Sequence, residues 1–192
     1  MQRLDADKTI ELLDRMGRLI SSKAHASGLL PVHWETLRYL QRANRFSRTS
    51  AALTAFLGST KGTVSQTVKA LEGKGLVSNE SDPKDRRKNV LALTTLAEQL
   101  LSSDPLLDLA ETIEALSGSQ RAGLNEGLRR LLTTQLTKQG RRPFGMCRDC
   151  AHFSAEHSAG APHYCLLLRE PLTASDSKAI CQEQTPRQAA AG

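Results

Sequence analysis

Apolar positions in the first 139 residues fall into helical stripes separated by short breaks. Ile10, Leu13, Met16, Leu19 and Ile20 recur at three- and four-residue steps and predict an amphipathic helix over 5–28. Pro31 marks a boundary. Trp34, Leu37, Leu40 and Phe46 then continue a second helical pattern from about 33 to 45. Between Ser47 and Leu76 the pattern shortens. Ser50 or Thr49 can cap a short helix containing Leu53, Phe56 and Leu57, and Gly58 closes it. Thr60 opens a second helix, in which Val64, Val68 and Leu71 face inward, and Gly73 and Gly75 end it. Two short helices joined by a glycine-containing turn are the sequence form of a helix-turn-helix.

The period then changes. Leu76, Val77 and Ser78 predict a short strand, and NVLALT (89–94) predicts its return with alternating apolar residues. The charged stretch NESDPKDRRK between them makes this a β-hairpin, a wing beside the helix-turn-helix. Helical spacing resumes over 95–116, where Pro105 should kink or divide the helix, and again over 119–139 through Leu124, Leu128, Leu131, Leu132 and Leu136. Gly140 begins a change of character. Residues 141–192 hold all four Cys, three of the five His and four of the seven Pro. The expected organisation is a DNA-binding and dimerisation domain over 1–139 and a small cysteine-rich module with a disordered end over 140–192. The expected fold class is mainly α with a small β-hairpin.

Composition narrows the function. The net charge of +6 favours an anionic partner, and aromatics at 4% leave too few rings for a base-stacking single-strand binder. No apolar run approaches the roughly 20 residues of a membrane-spanning helix. The charged N-terminus lacks an apolar signal core, so a cytoplasmic location is expected. In that compartment four cysteines point to metal or redox chemistry rather than disulfides. No nucleophile–base pair, paired-carboxylate motif or phosphate-binding glycine loop marks an enzyme.

The second helix of a helix-turn-helix presents its N-terminal residues to the major groove. With Val64, Val68 and Leu71 turned inward, the outer face carries Thr60, Lys61, Thr63, Ser65, Gln66 and Lys69, with no carboxylate to repel phosphate. Gln66 suits adenine, Thr and Ser suit bases or phosphates, and the lysines suit phosphate. Alone, such a face is equally a solvated surface. The wing changes the balance, because Lys84, Arg86, Arg87 and Lys88 crowd one hairpin and suit a narrow minor groove, with Asp82 or Asp85 placed to orient a neighbouring arginine.

The run TKGTVSQTVKALEGKGLVSNESDPKDRRKNVLALT resembles the core signature of the MarR family of bacterial regulators, and the resemblance extends over about 5–139. It implies a winged helix-turn-helix homodimer, interlocked through its first and last helices, with each subunit reading half of a pseudo-palindromic operator. It also implies Asp85, Arg86 and Arg87 as wing residues. Where the family often has a glycine soon after the closing LT, this chain has Thr95, Leu96 and Ala97. Dimerisation also has a physical rationale, since the terminal helices carry more apolar surface than a thin winged helix can cover. A small-molecule effector is compatible with this reading, and His25 and His33 are candidates to line its pocket, with ordinary packing as the plainer alternative.

Cys147, Cys150, Cys165 and Cys181 are spaced C-x2-C-x14-C-x15-C. A CxxC turn converges two sulfurs on one centre, and two distant cysteines can complete a tetrahedral set. Zinc ribbons usually bring two CxxC knuckles, whereas one CxxC followed by two isolated cysteines resembles high-potential iron–sulfur proteins, which implies a 4Fe-4S cluster ahead of structural zinc, with a metal-free thiol switch or inert cysteines as the remaining readings. His152, His157 and His163 lie near these cysteines, as spare ligands or as plain loop residues. The leading expectation is a redox- or iron-responsive regulator whose tail acts through the adjoining last helix. The alternative is an electron-transfer or protein-docking module that uses the winged helix as a scaffold, with zinc in the tail.

Overall fold

The computed structural model describes residues 2–23, 25, 28–81, 89–155 and 161–187. It begins with helix α1 (Gln2–Lys23), followed by α2 (Pro31–Arg42), α3 (Ser50–Leu57) and α4 (Lys61–Gly73). An antiparallel hairpin, β1 (Val77–Ser81) and β2 (Asn89–Leu93), pairs Val77 with Leu93 and Ser81 with Asn89. Helices α5 (Thr95–Leu101), α6 (Leu107–Glu114) and α7 (Gly118–Lys138) follow. Pro105 falls between α5 and α6, and Thr94 caps α5 by accepting the Ala97 N–H at 3.2 Å.

Local chemistry sets the boundaries. Thr49, rather than Ser50, caps α3 by accepting the Ala52 N–H at 3.1 Å. Helices α3, α4 and α7 each end on a left-handed glycine: Gly58 (φ 63°), Gly75 (φ 69°) and Gly140 (φ 67°). In each case the next N–H reaches back five residues: Ser59 to Thr54 O, Leu76 to Leu71 O and Arg141 to Leu136 O. This is the Schellman closure, which only a residue without a Cβ penalty adopts freely. Ser117 and Gln120 form a reciprocal capping box at the start of α7.

The winged-helix core is aliphatic around one indole. Trp34, Leu37, Leu40, Leu53, Leu71 and Leu91 are wholly buried, and Val64 and Val68 join them from α4. Arg38 of α2 and Asp104 hold the α5–α6 turn against this core by a two-pronged bond of 2.6 and 2.7 Å, with Arg38 also lying over Trp34. Helix α1 reaches the rest of the chain at its end, where Lys23 pairs with Asp108.

Beyond α7 the chain folds into short pieces: β3 (Gly145–Met146), a 3-10 turn (Cys147–Asp149), β4 (Phe153–Ser154), β5 (His163–Cys165), β6 (Glu170–Leu172), α8 (Ala174–Ser177) and β7 (Ile180–Cys181). Strand β3 pairs with β7, and β4-β5-β6 make a second antiparallel sheet. Their shared core holds Cys147, Cys165, Leu172 and Cys181. Phe46 packs here. Helix α2 stops at Arg42, so Phe46 does not extend the α2 stripe but lends its ring to the second core.

Candidate functional site

Two groups of residues can do chemistry: the outer face of α4 and the thiol core. On α4, Val64 and Val68 are 1% and 4% exposed, and Thr67 is buried with its hydroxyl bonded to Thr63 O at 2.9 Å. Burying that side turns Lys61, Thr63, Ser65, Gln66 and Lys69 outward together, and all five are exposed. Thr60 has a second task. Its Oγ1 accepts the Thr63 N–H at 3.2 Å and lies 2.9 Å from the Thr63 hydroxyl, so it caps the helix as well as standing at its front. The first turn carries no acidic residue, which leaves the positive end of the helix dipole uncompensated at this face. Lys84, Asp85, Arg86 and Arg87 lie outside the described residues, as does His157. The wing is described as far as Ser81 and again from Asn89, and it is seated by Leu91, whose N–H donates to Arg48 O at 2.7 Å.

The four cysteines are unbridged and buried, at 5–8% exposure. The CxxC turn closes with the Cys150 N–H on Cys147 O at 3.1 Å. Backbone N–H groups then aim at sulfur: His152 at 3.5 Å and Thr185 at 3.4 Å on Cys150, and Leu168 at 3.4 Å on Cys165. Burial, then the charges of Cys181, Cys165, Cys150 and Asp176, push the Cys147 thiol up to about 12, so the cysteines sense one another. Burial also raises Cys181, while the Glu183 backbone N–H and the Asn44 and Ser47 side chains work the other way. Among the described residues, no three His, Cys, Asp or Glu side chains are gathered tightly enough to hold a metal ion.

The histidines take ordinary places. His33 is buried, accepts the Leu30 N–H on Nδ1 at 3.2 Å, and is held below the usual imidazole range by burial and by Lys74. His163 bonds Ala155 O and stacks against Phe153.

The largest feature invisible in the sequence is where the tail docks. It leaves α7 but settles on the corner between α2 and α3. The Asn44 N–H donates to Ile180 O at 2.8 Å, and the Gln182 N–H donates to Ser47 Oγ at 2.9 Å. Arg45 binds Asp176 at 2.6 Å and Pro171 O at 2.5 Å, with its guanidinium over Phe46. Arg141 donates to Ala55 O and Phe56 O, capping the end of α3, and Phe144 meets Phe56 edge-on. The contact route from the thiols to the helix-turn-helix therefore passes through residues 43–48. The sequence pointed instead to the covalent link through α7. An open pocket of about 680 Å³ lies beside this seam, with Arg42, Arg129 and Arg148 around Phe56, Phe144 and Ile180.

A helix-turn-helix with a paired-strand wing and long flanking helices is a recognisable arrangement. Residues 27–88 match the MarR family model. Solved structures share the MarR-type winged-helix fold. A MarR transcriptional regulator from Methanosarcina mazei Go1 superposes with a TM-score of 0.55 at 24% identity, covering 69% of this chain and 96% of that one. CouR from Rhodococcus jostii RHA1, bound to p-coumaroyl-CoA, gives 0.55 at 20% identity over 66% and 92%. A MepR–DNA complex from S. aureus gives 0.53 at 22% identity over 68% and 96%. No curated protein sequence matches the chain significantly. Helix α4 is the second helix of the helix-turn-helix, and among the described residues no helix is long and apolar enough to cross a membrane.

Proposed function

We propose that this chain is a transcriptional regulator that binds duplex DNA as a homodimer. The observation that carries the reading is the outer face of α4: five exposed polar or basic side chains on a capped helix without a first-turn acid, beside a hairpin whose tip sequence is DPKDRRK. Such a helix end offers N–H groups and positive potential to phosphate, while Ser65 and Gln66 are free for base edges. A solved neighbour of the same fold was crystallised on DNA, which supports the reading.

The homodimer follows from unburied apolar surface. Ile10, Leu12, Leu13, Met16 and Leu19 on α1, and Leu124, Leu128, Leu131 and Leu132 on α7, stand exposed, with Ile10 at 64% and Leu132 at 58%. Helices of this kind bury such stripes against a second copy. The pocket beside Phe144 has arginines over an apolar wall, the chemistry of a small anionic effector, and a neighbour of this fold carries an acyl-CoA.

Cys147, Cys150, Cys165 and Cys181 complete the reading as ligands of a 4Fe-4S cluster, which makes duplex affinity responsive to iron or redox state. The fit rests on the donor set. Four buried sulfurs, of which Cys150 and Cys165 receive backbone N–H groups, suit thiolate ligands. When bound, the cluster supplies a cross-link and a change of charge, while the chain supplies the seam through 43–48.

Duplex binding tested by fluorescence anisotropy across a salt series decides the main claim. Affinity falling steeply with salt is expected, because counterions are displaced from phosphate. A chain that stays monomeric and shows no salt-sensitive affinity for pooled genomic duplexes overturns it.

A further inference from the structure

We propose that the seam between the tail and the winged helix is a binding site for an aryl or short-chain acyl oxyanion, a phosphate monoester or a carboxylate. Arg42 and Arg148 are its anion anchors and Phe144 is its apolar wall. The chemistry of the site stands on the cavity itself, while its use to control duplex binding rests on the regulator reading.

The cavity, about 680 Å³, has the size that takes a small organic molecule. Three segments close it. Arg42 and Phe56 come from the ends of α2 and α3, Arg129 and Thr133 come from α7, and the rest of the wall comes from 143–187. Of this lining, Arg42 and Phe56 alone fall within the span that matches the family model, so the site is built largely by the tail. Its floor is apolar, with Phe56, Phe144, Met146 and Ile180 half-buried. Phe144 meets Phe56 edge-on at 5.4 Å and Tyr39 at 6.4 Å. Its backbone is left-handed, φ 53°, a conformation that a bulky residue keeps only where its surroundings hold it. Such positions collect at ligand clamps.

The rim is cationic. Four guanidinium groups and one carboxylate, that of Asp149, stand around the floor, and the arginines are exposed. Their commitments differ. Arg187 donates to Cys150 O at 3.1 Å and Phe153 O at 3.3 Å, and so holds the wall. Arg129 is paired with Glu126 at 2.7 Å. Arg148 lies 3.9 Å from Asp149, beyond hydrogen-bond reach. The Arg42 guanidinium has no hydrogen-bond or ion-pair partner among the described residues. Two forks are therefore left for a ligand. Planar guanidinium forks match the oxygens of a phosphate or carboxylate, and the rings beneath take a flat or branched apolar body. A wholly apolar guest would leave the rim unmatched, and an inorganic anion would leave the floor bare.

Occupancy ties the tail to α3, the first helix of the helix-turn-helix, and to α7, which carries one of the exposed apolar stripes. A ligand that changes how these three meet changes duplex affinity by the same factor by which duplex changes its own.

The test uses the full-length chain and anilinonaphthalene sulfonate, an amphipathic anion whose fluorescence rises in apolar sites, with phenylnaphthylamine as its uncharged counterpart. The sulfonate is expected to saturate at about one per chain and to bind about tenfold or more tighter than the neutral probe. Naphthyl phosphate or naphthoate should displace it, the stronger competitor naming the headgroup, and inorganic phosphate should not. Arg42→Ala and Arg148→Ala should each weaken the sulfonate about tenfold and leave the neutral probe unchanged. Phe144→Ala should weaken both probes. If it unseats the tail, the two arginine variants, on exposed side chains, keep the test decisive. Equal binding of both probes in wild type and in the arginine variants would overturn the site and assign the fluorescence to the apolar stripes of α1 and α7. The stronger naphthyl competitor, at saturation, should move the duplex affinity of wild type about fivefold or more and leave that of Arg42→Ala in place. Duplex binding that ignores the ligand would overturn the regulatory use of the site. A chain that binds the probes as expected but no duplex would sink the regulator reading and uphold the site.

Discussion

The molecule has two cores built on different principles. The winged helix buries Trp34, Leu37, Leu40, Leu53, Val64, Leu71 and Leu91 against one another, and apolar area alone can hold it. The tail's core holds three of its four buried cysteines and one leucine, Leu172, with Phe46, Phe153 and Leu168 around them. A core that small rarely supports a fold without a staple. It leans on the first domain through Arg45, Ile180 and Arg141. The first core can stand on its own apolar contacts, and the second depends on its contacts with the first.

Matched substitutions test this contrast. Leu37 and Leu172 are both essentially unexposed. Leu37→Ala should cost about 3–4 kcal/mol and lower the single cooperative unfolding transition, read by urea denaturation. Leu172→Ala should leave that transition almost in place and instead open residues 141–187 to limited proteolysis. Equal effects on both readouts would show that the two cores are one.

The next effect concerns the turn that closes the first core. Burial alone would raise the Asp104 carboxyl, but the Arg38 hydrogen bonds, the Leu106 N–H and the Arg38 charge outweigh it and hold it below the usual carboxylate range. Asp104→Ala should cost about 2 kcal/mol. The wild-type contribution is present above the free carboxylate value and is lost as pH falls through the lowered folded value, so the variant's deficit should vanish in acid melts.

His33 adds a smaller term. Its folded value is depressed, so it is buried neutral, and the unfolded chain binds the extra proton. Stability should hold above about 6.5 and decline as pH falls below it. His33→Gln should flatten that slope in melts between neutral and mildly acidic pH.

At the seam, Arg45→Ala removes a bond to Asp176 from a side chain that is 43% exposed. After solvent screening this should cost the global fold about 1 kcal/mol or less, yet it should speed proteolysis of the tail. The smallest stability effect belongs to Lys69→Ala, which should leave the melt unchanged and lower the salt slope of duplex binding by about one.

Much of this was legible because local rules carry it. The stripe of Val64, Val68 and Leu71 settled which side of α4 is buried and hence which residues face out. Gly58 and Gly75 marked helix ends because a left-handed cap needs glycine. Pro105 divided α5 from α6, and Thr94 capped α5 without the glycine often found after it. The helical stripes on α1 and α7 were equally plain, but they stand exposed among the described residues, so periodicity could mark an apolar face without saying what covers it.

What tertiary structure alone decided is the meeting of distant segments. Cysteine spacing shows that two sulfurs share a turn, but it cannot show that Cys181 comes to rest beside Asn44 and Ser47, more than a hundred residues earlier. Nor do Arg45–Asp176, Arg38–Asp104 or the Arg141 cap on α3 leave any trace in periodicity. Hydrophobic period and capping act over a few residues, so a sequence read locally reveals elements and faces. Ion pairs and orphaned polar groups are settled only when the chain has closed on itself.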